Sequence, residues 1–121
     1  MSRILVIDDN RDTRDLMRVL LEGAGYTVDL ASDGEAGLEA QRRQPADVVI
    51  TDIFMPVRDG LETLEQLRTE YPQVKVLVVS GGGSRVKGPG YLFTAREIGA
   101  HAVLAKPFDN EALLGAVRGL L

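Results

Sequence analysis

Five residues follow short apolar runs and carry groups able to hold charge or make strong hydrogen bonds. Asp8 and Asp9 follow Ile4-Leu5-Val6-Ile7, Asp52 comes soon after Val48-Val49-Ile50, Ser80 follows the run Val74 to Val79, and Lys106 comes just beyond Ala102-Val103-Leu104. Three carboxylates brought within about 4–6 Å repel by roughly 3–4 kcal/mol per close pair at an effective dielectric near 20. Such a cluster needs a cation or shifted pKa values. Lys106 supplies one positive charge, which does not balance three acids. A hard divalent ion with oxygen ligands does, and Mg²⁺ needs only one or two carboxylates, with waters and substrate phosphate completing its shell. A site built half of acid and half of incoming phosphoryl oxygen suits that ion.

Taken singly, each residue has a plainer explanation. Asp8-Asp9-Asn10 can cap a helix, since acids favour helix N-termini. Asp52 can be a turn residue before Pro56, and Lys106 before Pro107 a solvated loop charge. One acid suffices for a cap, however, and the joint placement of all five at the ends of apolar runs argues for a common site.

The elements that must position these groups alternate along the chain. Ile4-Leu5-Val6-Ile7 reads as a buried strand. A helix with Leu16, Met17, Leu20 and Leu21 on one stripe follows and ends near Gly23 and Gly25. Tyr26 to Ala31 reads as strand two. Ser32 and Glu35 have capping-box spacing and open a second helix, which stops before Pro45. Val48-Val49-Ile50 is strand three. Asp59 and Glu62 have cap spacing for a third helix striped by Leu61, Leu64 and Leu67. Val74 to Val79 is strand four, a short helix lies around Ala95 to Ile98, and Ala102-Val103-Leu104 is strand five. Asp109 caps a last helix with Leu113, Ala116, Val117 and Leu120 facing inward. Apolar strands separated by helices imply an α/β fold with a five-stranded parallel sheet covered on both faces. The flavodoxin-like strand order 2-1-3-4-5 is the common solution, and its ligands bind beyond the carboxyl ends of the strands. Strands one and three are then neighbours, so Asp8, Asp9 and Asp52 converge.

Composition narrows the classes. The 121 residues make one ordinary domain, residues 1–121. With no cysteine, disulfide frameworks, zinc-thiolate sites and thiol nucleophiles are excluded, and the single histidine excludes a histidine cluster. No apolar run approaches the roughly 20 residues of a membrane span, and the start lacks a signal-peptide pattern, so a cytoplasmic location with no membrane association is expected. The net charge of −4, without a basic stripe, argues against direct nucleic-acid binding.

The whole sequence resembles the bacterial response-regulator receiver family of two-component signalling. The resemblance rests on Asp8-Asp9 after the first strand, Thr51-Asp52-Ile53-Phe54-Met55-Pro56, Asp59-Gly60, Ser80, and Lys106-Pro107-Phe108 after Gly99-Ala100. It implies that Asp52 is the phosphorylated nucleophile. It also implies that Asp8 and Asp9 bind Mg²⁺ (with Mn²⁺ as a substitute ion) beside Asp52 and the main-chain carbonyl of Phe54. Ser80 and Lys106 would hold phosphoryl oxygens, and the Lys106–Pro107 bond would be cis. The implied donor is a phosphohistidine on a sensor histidine kinase or histidine phosphotransfer protein. The implied reader is a downstream protein or fused output domain, responding to a shift of helix four, strand five and helix five. The chain would be a signalling phosphoacceptor, with self-phosphotransfer and slow autodephosphorylation as its only chemistry.

The sequence departs from the family in places. Val103 stands where an aromatic toggle is usual, with Tyr91 or Phe93 as conceivable substitutes. Gly81 to Gly90 is longer and richer in glycine than the family norm, and suits either a floppy connection or a flap carrying Arg85 or Lys87. Phe54 and Gly82 flank the expected path of the attacking water, and neither side chain can hydrogen-bond it, so a long-lived phosphoryl-aspartate is expected. His101 reads as a surface residue, Met17 as core, and Met55 as part of the loop after Asp52. Two competing functions are a receiver-like interaction module regulated without phosphorylation, and a haloacid-dehalogenase-like phosphatase. The phosphatase needs a second Asp two residues after its nucleophile, where this chain has Phe54 after Asp52 and Asn10 after Asp8.

Overall fold

The computed structural model buries the apolar runs Ile4 to Ile7, Val48 to Ile50 and Val76 to Val79 on both sides, and the run Ala102 to Leu104 only in part. It describes residues 2–53, 60–80, 94–106 and 108–121, with Ser80 described in its backbone only. The strands are β1 (Arg3–Ile7), β2 (Thr27–Ala31), β3 (Val48–Asp52), β4 (Lys75–Ser80) and β5 (Ala102–Ala105). The helices are α1 (Arg11–Gly23), α2 (Gly34–Arg43), α3 (Gly60–Glu70), a helical stretch α4 at 94–98, and α5 (Asn110–Leu120). All neighbouring strands pair in parallel in the order β2-β1-β3-β4-β5, the expected flavodoxin-like arrangement.

The period-two alternation of strand side chains divides the core into two layers. Leu5, Ile7, Val49, Val76 and Val78 pack with Leu38 of α2, Leu64 and Leu67 of α3, and Ala95 of α4. Ile4, Val6, Val48, Ile50, Leu77 and Val79 pack with Met17 and Leu21 of α1 and Leu113 and Val117 of α5. Each such side chain contributes about 1.5–3 kcal/mol when fully buried. The central strands are thereby fixed in register, and the residues at their carboxyl ends are fixed with them.

Several boundaries and roles differ from the sequence reading. Leu16 does not share the inward stripe of α1. It is 57% exposed, while Met17 and Leu21 are buried. At about 100° per residue, Leu16 lies roughly 120° from the line midway between Met17 and Leu21. The cap of α2 is Asp33, whose side chain accepts from the Ala36 N–H at 2.8 Å, one residue later than Ser32. Its carboxylate also meets the positive end of the helix dipole. Strand two starts at Thr27, because Tyr26 is taken up in closing α1. The Tyr26 N–H donates to Leu21 O and that of Gly25 to Glu22 O, a Schellman motif that puts Gly25 at φ +101°. Strand three runs on through Asp52, and strand four is Lys75–Ser80, with Val74 in the preceding turn. The Asp59 cap, Tyr91, Phe93, Met55 and the Gly81–Gly90 loop lie outside the described residues.

His101 is not a plain surface residue. It is half-buried, and its Nδ1 accepts from the Val76 N–H at 3.1 Å while its own N–H donates to Val76 O at 2.9 Å. The imidazole thus extends the β4–β5 ladder by one rung. Burial, then the charges of Arg68 and Lys75, lower its pKa from 6.5.

Candidate functional site

At the carboxyl ends of β1, β3 and β5 the chain leaves the sheet, and its polar residues collect there. Asp8 is the first residue past β1 and is 1% exposed. It is held at four points. Its N–H donates to Ala31 O at 3.1 Å, and its Oδ1 accepts from the Asn10 N–H at 2.8 Å. Its Oδ2 accepts from Lys106 Nζ at 3.2 Å, and its carbonyl accepts from Arg14 Nη1 at 2.7 Å. Capping of α1 is done by Asn10, whose Oδ1 accepts from the Thr13 N–H at 2.9 Å. A capping role therefore does not account for Asp8 and Asp9.

Asp52 ends β3, paired with Val79, and is also buried. Its Oδ2 accepts from Lys106 Nζ at 3.0 Å, and its carbonyl accepts from the Thr51 hydroxyl at 3.0 Å. α3 starts hard against it. The Gly60 N–H donates to Ile53 O at 2.7 Å, and a Cβ on Gly60 would overlap Asp52 O and Ile53 Cα. Glycine is required at residue 60 because of this close approach.

Lys106 follows β5 and reaches back to both buried acids. Its burial alone would lower its pKa, but the charges of Asp52 and then Asp8, with their hydrogen bonds, outweigh that and raise it. Asp9 is exposed, and one carboxylate oxygen from each of Asp8, Asp9 and Asp52 lies within 4.8 Å of the others. Three carboxylates against one ammonium leave two negative charges over. Oxygen-only donors gathered in one place and the surplus negative charge fit a hard divalent ion.

Of the sequence-predicted residues, Asp8, Asp9, Asp52 and Lys106 come together. Ser80 ends β4 with its backbone opposite Ala105. Phe54, Gly82 and Pro107 lie outside the described residues. Sequence reading offered Asp8-Asp9-Asn10 as a helix cap, and within it Asn10 makes the cap. It missed the part played by Arg14, which looks like any charge on a surface helix.

Compared with known proteins, residues 4–118 match the family described as response regulator receiver domain. This chain belongs to that family. Among curated relatives, the response regulators MprA of Mycobacterium ulcerans (strain Agy99) and Mycobacterium leprae (strain TN) are 40% and 39% identical over 98% of the chain. The match covers 50% of each, so the receiver chain spans about half the length of these relatives. Among solved structures, the chemotaxis protein CheY4 of Vibrio cholerae is 30% identical with a TM-score of 0.89, over 100% of this chain and 99% of that one. The response regulator TrrA of Thermotoga maritima, solved in complex with Mg(2+)-BeF, is 30% identical with a TM-score of 0.87 over the full length of both. The receiver is thus a two-component signalling module, and no helix among its described residues is long and apolar enough to cross a membrane.

Proposed function

We propose that this receiver accepts a phosphoryl group on Asp52 from a phosphohistidine donor, and that the added group changes the surface formed by α4, β5 and α5. The observation that carries the proposal is the pair of hydrogen bonds from Lys106 Nζ to Asp52 and Asp8, inside a carboxylate cluster that needs more positive charge. An Asp52 carboxylate oxygen attacks phosphorus in line. A new O–P bond forms, the donor's N–P bond breaks, and the electron pair leaves with the imidazole nitrogen. Phosphoryl transfer depends mostly on positioning and charge neutralisation. Asp8, Asp9, Asp52 and the Phe54 carbonyl are the residues that would hold Mg²⁺ or Mn²⁺, which when bound supplies positive charge to the phosphoryl oxygens. Lys106 exchanges a carboxylate partner for a phosphoryl oxygen, and the Ser80 hydroxyl donates to another.

That exchange couples the site to an output surface. Lys106 lies in the short connection between β5 and α5, so any change of its partners is felt in both elements. A sensor histidine kinase or phosphotransfer protein supplies the group. A downstream protein, or an output domain in a longer chain, reads the result to the extent of its differential affinity. The chain does not turn over substrate, and since neither the Phe54 nor the Gly82 side chain can hydrogen-bond a water, hydrolysis of the acyl phosphate is slow.

The test is intact mass after incubation with a small phosphodonor and Mg²⁺. A stable gain of one phosphoryl group, absent in Asp52→Asn, is the expected result. No gain in the wild type would leave an interaction module regulated without phosphate, and continuous turnover of the donor would mark a phosphatase. A radiolabel chase with a lifetime of only seconds would contradict the slow hydrolysis.

A further inference from the structure

We infer that Arg14 is a positioning residue for the carboxylate cluster: it fixes the turn after β1 so that Asp8 and Asp9 present their oxygens together. The inference rests on the proposed phosphoacceptor reading and concerns how this chain builds that site.

The Asp8 carbonyl is an acceptor that the sheet does not fill. Strand β1 makes its last register pairs at Ile7, with Ala31 on one side and Thr51 on the other. The Asp8 N–H still finds Ala31 O. Its carbonyl, one atom group further on, is past the ladder, while the residue itself is 1% exposed. A buried carbonyl without a partner costs about 1–3 kcal/mol. Arg14 meets this need from the start of α1, with Nη1 donating to Asp8 O at 2.7 Å. It can do so because of its place on the helix. Arg14 precedes Met17 by three residues and so lies close to the buried line of α1, which makes it half-buried.

The bond ties two rigid bodies together. β1 is locked in the centre of the sheet, and α1 is locked by Met17 and Leu21. Asp8, Asp9 and Asn10 are the whole connection between them. Asn10 secures its far end by capping α1, and Arg14 secures its near end by holding the Asp8 carbonyl. Asp9, the exposed member of the cluster, lies between these two anchors. Its approach to Asp8 and Asp52 depends on both. Groups that orient metal ligands in this way typically change metal affinity 10–100-fold when removed.

The sign of the effect separates positioning from charge. If Arg14 acted only as a nearby positive charge, it would repel a dication, and Arg14→Met would tighten Mg²⁺ binding. If it acted only on stability, Arg14→Met would lower Tm and leave Mg²⁺ affinity alone. Positioning predicts weaker binding in spite of the relieved repulsion.

The experiment is calorimetric titration of the full chain with MgCl₂ for wild type, Arg14→Met, Arg14→Lys and Arg18→Met, the last removing an exposed charge one turn on. Thermal melts of each variant accompany the titrations. The expected result is a Kd about 10-fold weaker in Arg14→Met, intermediate in Arg14→Lys, and within about twofold of wild type in Arg18→Met. Amide NMR shifts on adding Mg²⁺, expected at Asp8 to Asn10 in the wild type, should shrink in Arg14→Met. Equal or tighter binding by a folded Arg14→Met overturns the inference and leaves the phosphoacceptor reading intact. Should Arg14→Met fail to fold, Arg14→Gln takes its place, and wild-type affinity in that variant overturns the inference equally. A wild-type chain without Mg²⁺ affinity overturns both.

Discussion

Lys106 stands between two buried carboxylates, so its removal exposes how the cluster is balanced. In Lys106→Met, Asp8 and Asp52 face each other without the ammonium they share. Removing one member of a buried ion pair costs about 3–5 kcal/mol, and the partial exposure of Lys106 reduces this to roughly 1–3 kcal/mol in metal-free buffer. Urea denaturation with and without Mg²⁺ checks it: Mg²⁺ should recover more stability in the variant than in the wild type, and an identical Mg²⁺ response would contradict the charge balance. His101 gives a second prediction of opposite chemical sense. Its folded pKa lies below 6.5, because burial, Arg68 and Lys75 all disfavour the imidazolium, so between the two values the unfolded chain binds more protons. Stability should therefore fall as pH drops below 6.5, and level off once the folded form is protonated too. Protonation also removes the acceptor for the Val76 N–H. A His101→Gln variant should flatten that part of the pH–stability curve, and a wild-type curve flat from pH 7 to 5 would contradict the assignment.

At the scale of elements, α1 separates what packs from what merely looks apolar. Leu21→Ala should cost about 2–5 kcal/mol, because Leu21 is fully buried between α1 and the sheet. Leu16→Ala should change stability by no more than about 0.5 kcal/mol, since Leu16 faces outward. Similar losses in chemical denaturation of the two variants would show the helix rotated from the orientation described. The same helix shows what could be read beforehand. Alternation of apolar runs and helical stripes defined five βα units and their order, because parallel strands buried on both faces have few other arrangements. The convergence of Asp8, Asp9, Asp52 and Lys106 followed from that order. Leu16 was misplaced because four leucine and methionine positions on one helix span more than the buried stripe, and only packing decides which edge is left out. The caps at Asp33 and Ser32 compete at adjacent positions with similar chemistry. Arg14 and His101 act on backbone groups of other elements, and no sequence motif marks such bonds.

For the molecule as a whole, sheet, helices and site serve one arrangement: rigid strands deliver acids to one end of the sheet, and the connection between β5 and α5 carries the lysine that pairs with two of them. The MprA relatives that share this domain are about twice its length, whereas CheY4 and TrrA are matched over nearly all of theirs. All of this depends on which carboxylate takes the phosphoryl group. Borohydride reduces an acyl phosphate to the alcohol and so leaves homoserine in place of the modified aspartate. After treatment with a small phosphodonor and Mg²⁺, then borohydride, peptide mass spectrometry should find homoserine at residue 52 and unmodified Asp8 and Asp9. Homoserine at residue 8 or 9, or at none of the three while the chain remains folded, would contradict the account.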